Sequence, residues 1–272
     1  MQLQNSAKIE EEETTLILGI IPARGGSVRV PLKNIKPLGC KPLIHWTIKE
    51  ALKSGYIDML FVSTDSPEIA SISMQTYYRE LMVDHHLFKF GIIDRPAELS
   101  EDVDTTLVLQ HAITYVDEKI TKWGIKNSNI DYVVTLQPTS PLRTAEDIDR
   151  CIEIALNSDA DTVVSVSEVS QHPYWMFEEQ EVSGGSFTFK HWKPFMGDEW
   201  LIGENLVSQN LPKLYYPNGA VYVNKRDLIM EETRMFGTNI EGYIMSPERS
   251  IDLETKLDFM ICEAVMNYYG FK

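Results

Sequence analysis

LILGIIPARGGSVRVPLKN, Leu16 to Asn34, joins a six-residue run without a polar side chain to a loop that carries two adjacent glycines and three cations. The run Leu16–Ile21 does not alternate polar with apolar, so it reads as a central strand covered on both faces rather than one with a wet side. Further along, Leu43, Ile44, Ile48, Ala51 and Leu52 fall at helical spacing after Pro42 and stop near Ser54-Gly55, a helix end. MLFVSTD, Met59 to Asp65, reads as a second strand. A helical stretch around Thr105 to Glu118, a strand at Asp131 to Gln137, a helix carrying Ile148, Ile152, Ala155 and Leu156, and a strand in DTVVSVS follow in turn. Strands that alternate with helices, and that are continuously apolar and β-branched, predict an α/β protein with a doubly wound, mostly parallel sheet. Such sheets hold ligands beyond the carboxyl ends of their strands, where the loops gather.

Between Ser167 and Pro217 the alternation breaks down. Ten aromatics crowd these 51 residues in a chain that is 10% aromatic, a density too apolar for a disordered linker. The stretch reads as an inserted β-rich arm, after which GAVYVN, Gly219 to Asn224, returns the chain to the sheet. A final helix from about Glu254 carries Leu257, Met260, Ile261, Ala264 and Val265. One domain over residues 16–272 is expected, behind a mobile acidic tail, residues 1–15, with the run Glu10 to Glu13. The arm has too little chain to bury its aromatics within itself, so a homodimer built on the arm is expected, the alternative being a lid folded over its own sheet.

Composition removes several functions. A formal charge of −15 argues against a general nucleic-acid surface, which relies on clustered Lys and Arg. No apolar run approaches the ~20 residues that span a bilayer, and MQLQNSAKIEEEETT lacks the features of a secretion signal, so a soluble, cytoplasmic protein without membrane contact is expected. Cys40, Cys151 and Cys262 show no paired spacing and read as reduced thiols. The six histidines, His85-His86 and His172 among them, show no metal spacing, and no GxSxG hydrolase elbow is present.

Three loops carry candidate chemistry. In IPARGGSVRVPLKN, Gly25 and Gly26 let the backbone approach an anion closely, and Arg24, Arg29 and Lys33 supply charge that a triphosphate needs. The spacing is neither GxxxxGK[ST] nor GxGxxG, and a plain surface loop with turn glycines is the competing reading. In QPTSPLR, Pro138 and Pro141 stiffen a turn that leaves Gln137, Thr139, Ser140 and Arg143 as hydrogen-bond donors to a substrate. Thr144 with Glu146-Asp147 is explained by capping a helix alone. In SIDLET, Asp252 and Glu254 stand two residues apart, which on an extended backbone puts both carboxylates on one side to share a hard cation such as Mg²⁺. The competing reading is that Asp252 caps the last helix and Glu254 sits in its first turn.

IPARGGSVRVPLKN, KPLIHWTI, VSTD, RPAELSED, LQPTSPLR, NGAVYV and IDLETKLDF, in this order, make the chain resemble the acylneuraminate cytidylyltransferase family: the CMP-sialic acid synthetases and their bacterial relatives acting on legionaminic or pseudaminic acids. The similarity runs from about Leu16 to Glu263 and omits the tail and the arm. It implies a nucleotide-diphospho-sugar transferase-like, Rossmann-type fold, and coupling of CMP from CTP to the anomeric hydroxyl of an acidic nine-carbon sugar, with pyrophosphate released and Mg²⁺ as cofactor. By resemblance Arg24, Ser27 and Lys33 lie near the CTP phosphates, Asn34 near the nucleoside, Thr106 at a nucleotide-contacting hydroxyl position and Gln137 at the sugar. Asp252 and Glu254 match an acidic metal-binding pair that is usually two aspartates. Val28 departs from a common lysine, leaving Arg29 to replace that contact. The resemblance also implies pairing of two copies through the inserted segment. Transfer to another sugar or from another nucleotide on this scaffold, or a nucleotide-binding module without catalysis, are the other classes open to such a chain.

Overall fold

Ile17 and Ile21 on one face of the first strand, β1 (Leu16–Pro22), and Leu18 and Ile20 on the other are all buried, so the opening apolar run is sandwiched between two cores. The structure, a computed structural model, describes residues 15–27, 29–83, 89–101, 103–123, 129–184, 187–195 and 208–270. Most of the acidic tail, Val28, His85-His86 and part of the arm lie outside these residues.

After β1 a small hairpin, β2 (Pro37–Leu38) and β3 (Lys41–Pro42), turns at Gly39 and leads into α1 (Leu43–Leu52). The chain then alternates through β4 (Met59–Thr64), α2 (Pro67–Leu81), β5 (Lys89–Asp94), α3 (Thr105–Lys122), β6 (Ile130–Thr135), α4 (Ala145–Leu156) and β7 (Thr162–Glu168). The hairpin β8 (Phe177–Gly184) and β9 (Phe187–Pro194) follows, then β10 (Tyr215–Lys225), α5 (Arg226–Met230), β11 (Ile240–Ile244) and α6 (Lys256–Tyr269). Seven strands form one sheet in the order β11-β7-β10-β6-β1-β4-β5. The pairs β1 with β4, β1 with β6, β4 with β5 and β7 with β11 are parallel. β10 runs antiparallel to both its neighbours. From β1 the chain builds outward to β4 and β5, then crosses back to β6 on the other side. That reversal opens a crevice at the carboxyl end of β1.

Three apolar clusters hold the layers. Side chains of α1 and α4, including Ile44, Ile48, Ile148, Ile152 and Ala155, cover one face of the sheet. Leu109, Ala112, Ile113 and Val116 of α3, with Ile229 of α5, cover the other. A third cluster joins Val30 of the first loop, Leu253 and three α6 residues, Phe259, Cys262 and Met266, so the last helix clamps both the glycine-bearing loop and the acidic segment. Burial pushes the Cys262 thiol up to about 12 and raises that of Cys151 further, which makes both poor nucleophiles, whereas Cys40 is exposed. None of the described helices is long and apolar enough to cross a membrane.

The alternation read from the sequence is present, with additions. The edge strands β5 and β11 and the helix α2 lie in segments whose apolar patterns are too short or too mixed to single out. The strand expected to reach Gln137 ends at Thr135, and the last helix starts at Lys256 rather than Glu254. Both ends expected for the arm are already in the sheet, because Ser167 pairs with Tyr216 and Val166 with Pro217. Outside that ladder the arm contributes the β8–β9 hairpin, whose eight pairs run from Phe177 opposite Pro194 to Gly184 opposite Phe187.

Candidate active site

The loop after β1 folds on itself through backbone contacts that its glycines permit. The N–H of Gly25 donates to Asp65 Oδ1 at 2.8 Å, and a Cβ there would stand 3.1 Å from Ser66 Cβ, tighter than most side chains tolerate. Asn34 is buried and its Nδ2 donates to the Arg24 carbonyl at 2.9 Å, tying the end of the loop to its start. Leu32 takes a left-handed conformation, φ 52°, and its carbonyl accepts from Ile35 and Lys36, both at 3.0 Å. This turn sends Lys33 under the loop, where its Nζ donates to Leu253 O at 2.9 Å and to Glu254 Oε1 at 3.2 Å. The Arg29 guanidinium pairs with Glu254 Oε2, and Arg24 Nη1 donates to Glu101 O at 2.9 Å.

These residues form one wall of a cleft of about 590 Å³ at the crevice. Arg95, Leu99, Glu101 and Val103, which follow β5, form the second wall with Thr105 at the start of α3. Gln137, Pro138 and Thr139, after β6, form the third, and Glu254 closes the rim. Arg95 is buried, with Nε donating to Ser63 Oγ at 3.2 Å and Nη2 to Ser63 O at 2.8 Å. Burial lowers its pKa to about 10, the Arg24 charge adding to the effect and Asp65 opposing it, so it stays cationic at neutral pH. Arg24, Arg29, Lys33 and Arg95 thus gather positive charge in a protein of net charge −15. A multiply charged anion is what such a cleft can hold.

The acidic segment is free of the capping duty that competed for it. Thr255 caps α6, accepting from the Asp258 N–H at 3.3 Å, while Asp258 Oδ2 accepts from the N–H of Glu254 at 2.9 Å. The segment is pinned by Leu253 N donating to Thr139 O at 2.8 Å. Asp252 is exposed by area, yet protein crowds its carboxyl. Its pKa is raised, first by this partial loss of solvent and then by the charges of Glu254 and Asp258; the Thr139 hydroxyl and Lys33 act against the shift. Two hard carboxylates, one with its pKa raised by loss of solvent and by like charge, suit a divalent cation that takes its remaining ligands from phosphate and water. Among the described residues no group of three or more His, Cys, Asp or Glu gathers into a fuller metal cage.

The structure brings Arg24, Ser27, Arg29, Lys33, Asn34, Gln137 and Glu254 to this one cleft, with Asp252 beside it. Two of the expected residues are not in the lining of this cleft. Thr106 is buried within the first turn of α3, where its N–H donates to the capping Asp104 at 2.8 Å, and its neighbour Thr105 lines the cleft instead. Arg143 is fully buried and gives its hydrogen bonds to protein: Ala220 O and Gln137 O, both at 2.6 Å, and the Thr47 hydroxyl. It does not face the cleft. Thr144 does cap α4 in a reciprocal box with Asp147. His172 is buried, with Nε2 3.0 Å from Pro212 O. From the sequence, Asp65 and the stretch Arg95 to Thr106 are only weaker candidates, standing where a nucleotide or sugar loop would lie yet equally readable as caps or turns; the structure puts Arg95 in the cleft lining and Asp65 on the Gly25 N–H.

A mostly parallel sheet with a cation-lined cleft at its reversal point, rimmed by carboxylates, defines a nucleotide-binding α/β protein. A family model described as Cytidylyltransferase matches residues 18–88, from β1 past α2. The chain is 33% identical over 244 residues to an N-acylneuraminate cytidylyltransferase of Streptococcus agalactiae, covering 89% of this chain and 51% of that protein. It is 32% identical over 255 residues to the CMP-N,N'-diacetyllegionaminic acid synthase of Legionella pneumophila, covering 92% and 96%. The chain spans about half the length of the streptococcal relatives it matches and nearly all of the Legionella one. It shares its fold with a solved CMP:2-keto-3-deoxy-manno-octonic acid synthetase complexed with CTP, at TM-score 0.60 and 15% identity, covering 94% of this chain and 100% of that one. The chain belongs to the cytidylyltransferase family.

Proposed function

We propose that this protein transfers the cytidylyl group of CTP to the anomeric hydroxyl of a sialic-acid-like, nine-carbon nonulosonic acid and releases pyrophosphate. The observation that carries the reading is the convergence of Arg24, Arg29, Lys33 and Arg95 on a cleft whose rim holds Glu254, with Asp252 alongside, in a chain 32% identical to a CMP-diacetyllegionaminic acid synthase. The anomeric oxygen attacks the α-phosphorus, the bond to the bridging oxygen of the β-phosphate breaks, and the hydroxyl proton passes to water. Catalysis here is positioning and charge neutralisation. Arg24 and Lys33 stabilise the departing pyrophosphate, while Arg95, fixed by Ser63, and Arg29 hold the phosphate chain. Ser27 and the loop N–H groups line the same wall. Asn34 shapes the loop from inside, and Gln137 orients the acceptor.

Asp252 and Glu254 fit a divalent cation and are assigned to hold Mg²⁺. When bound, the ion supplies charge neutralisation at phosphate oxygens and acidifies the attacking hydroxyl. Glu254 must first be released by Arg29 and Lys33, which the phosphates of CTP attract in its place. Exposed Trp175, Phe177, Trp192, Phe195, Tyr215 and Tyr216 on and around the β8–β9 hairpin support pairing of two copies through the arm. The need for CTP and the reduced thiols support a cytoplasmic setting, with no role for nucleic acid or membrane.

The test is product mass spectrometry after incubation with each of CTP, ATP, GTP and UTP, Mg²⁺, and N-acetylneuraminic, diacetyllegionaminic and eight-carbon ketodeoxy acids. A CMP-linked nine-carbon acid formed with CTP alone is expected. A product from another nucleotide, transfer only to the eight-carbon acid, or no transfer in any mixture would overturn the assignment.

A further inference from the structure

β10 leaves its ladder with β7 between Pro217 and Tyr222. In the bulge so formed, Gly219 adopts φ +77°, and a Cβ built on it would stand 3.4 Å from Ser140 Oγ, 3.6 Å from Gln137 Oε1 and 3.9 Å from Asp252 Cγ. The glycine therefore leaves a bare spot, one methyl group wide, bounded by a hydroxyl, an amide oxygen and a carboxylate. Side chains satisfy the bulge's displaced backbone groups. Asn218 Oδ1 accepts from Ala220 N at 3.1 Å, Ser165 Oγ accepts from Val221 N at 2.8 Å, and Ala220 O accepts from Arg143 Nη1 at 2.6 Å. The same guanidinium donates through Nη2 to Gln137 O at 2.6 Å and to the Thr47 hydroxyl of α1.

We propose that Arg143 is a positioning residue for the acceptor side of the site: from full burial it fixes the separation between Gln137 and the Gly219–Ala220 bulge without touching either substrate. This rests on the reading of Gln137 as the residue that orients the acceptor. A rigid planar fork reaches two carbonyls at a set spacing, which a lysine cannot do. All its acceptors are neutral oxygens, so its charge stands without a bonded counter-ion, and burial lowers its pKa to about 9. A strut needed for stability alone is made at lower cost from apolar side chains of the same volume. Two nucleotide-side cations hang on other supports, Arg95 on Ser63 and Arg24 on the Glu101 carbonyl, and Lys33 is held by Leu253 O, which reaches the turn only through Thr139 and not through the carbonyls that Arg143 holds. Loosening the fork therefore disturbs the acceptor side and spares the nucleotide side.

Arg143→Lys keeps the charge and loses the fork. Its KM for the acceptor acid is expected to rise about tenfold or more, as small displacements of substrate-positioning groups do, while the Kd for CTP, measured by calorimetry, stays within about twofold. Hydrogen exchange is expected to quicken at the amide hydrogens of the non-proline residues in 136–142 and 218–221 and at Leu253, whose N–H donates to Thr139 O, and not in the loop that carries Arg24 and Arg29. If Arg143→Lys does not fold, Thr47→Val, which removes one acceptor and no charge, is expected to give the same split at a smaller size. Equal losses in acceptor KM and CTP affinity, or an acceptor KM left at the wild-type value, would overturn the positioning role. Gln137→Ala separates the two ways of failing. A wild-type acceptor KM in Gln137→Ala brings down the acceptor-side reading itself, whereas a raised one there beside a wild-type value in Arg143→Lys brings down Arg143 alone.

Discussion

Glu254 engages two cations at once, Lys33 Nζ at 3.2 Å and the Arg29 guanidinium, and both are groups that a triphosphate requires. Glu254→Gln keeps the side chain's size and removes its charge. Metal-free CTP must displace this carboxylate from both partners before its phosphates can take them. The Arg29, Glu254 and Lys33 side chains are 71%, 43% and 14% exposed, so solvent screens the first pair more than the second. Exposed pairs of this kind are worth ~0–1 kcal/mol each, and unit charges at this spacing in water give about 1 kcal/mol. Removing the competition is thus expected to tighten metal-free CTP by roughly 3–10-fold. Turnover with Mg²⁺ is expected to move the other way, falling by about 10²-fold as a charge aimed at the reacting phosphates is lost. Calorimetric titration of CTP in the presence of a chelator, and pyrophosphate release with Mg²⁺, read the two effects separately. Raising the salt should narrow the binding gap, because exposed charges are screened. Unchanged or weaker metal-free binding in the variant would refute the reasoning, since it would mean that the phosphates do not use Arg29 and Lys33.

Asp252→Asn is expected to abolish turnover while leaving the circular dichroism spectrum of the native protein. It should also raise Tm at neutral pH: a carboxyl whose folded pKa is raised contributes stability only on the acid side and loses it as pH rises through that pKa, so the gain over wild type should shrink toward pH 4. Arg24→Ala and Lys33→Ala should each lower kcat/KM by about 10²-fold or more, and unchanged pyrophosphate release in both would place CTP elsewhere. Light scattering is expected to find a dimer, and a Gly/Ser linker in place of residues 169–214 a monomer; a monomeric wild type or a dimeric shortened chain would count against the arm as the contact. Gly219→Ala places a side chain at φ +77° and is expected to destabilise by about 1 kcal/mol in a chemical denaturation curve.

The sequence exposes the sheet's centre because β1 and β4 are buried on both faces along nearly their whole length and β6 and β7 carry buried runs of Val, so that apolar and β-branched residues concentrate there. β10 was legible as a strand but not in direction, since GAVYV satisfies a parallel or an antiparallel neighbour equally; the chain's return from the hairpin sets its sense. β5 and β11 were lost because edge strands need fewer apolar residues, and Ile240 and Ile244 in β11 are indeed exposed. The loop cations were legible because charge beside paired glycines has few structural uses. Arg143 is ambiguous for a physical reason: a cation flanking a stiff turn reads alike whether it points to ligand or to backbone carbonyls, and its acceptors here include Ala220 O of the β10 bulge and the Thr47 hydroxyl, both distant in sequence. Arg95 stands out in the sequence only as the start of a weaker candidate loop, because its anchor, Ser63, lies 32 positions away.

The third apolar cluster and the hairpin beside it also equip the protein with a spectroscopic handle. Cys40 is the exposed thiol of the three, and it sits on the β2–β3 turn, where Gly39 N donates to Glu263 Oε1 of α6 at 3.2 Å. A dye attached there rides on the seam between the last helix and the polypeptide that continues from the Arg24–Lys33 loop. Since Val30, Leu38, Leu253 and Phe259 share one core, a shift of that loop as CTP arrives is expected to reach this seam and to register in the fluorescence of a single labelled position.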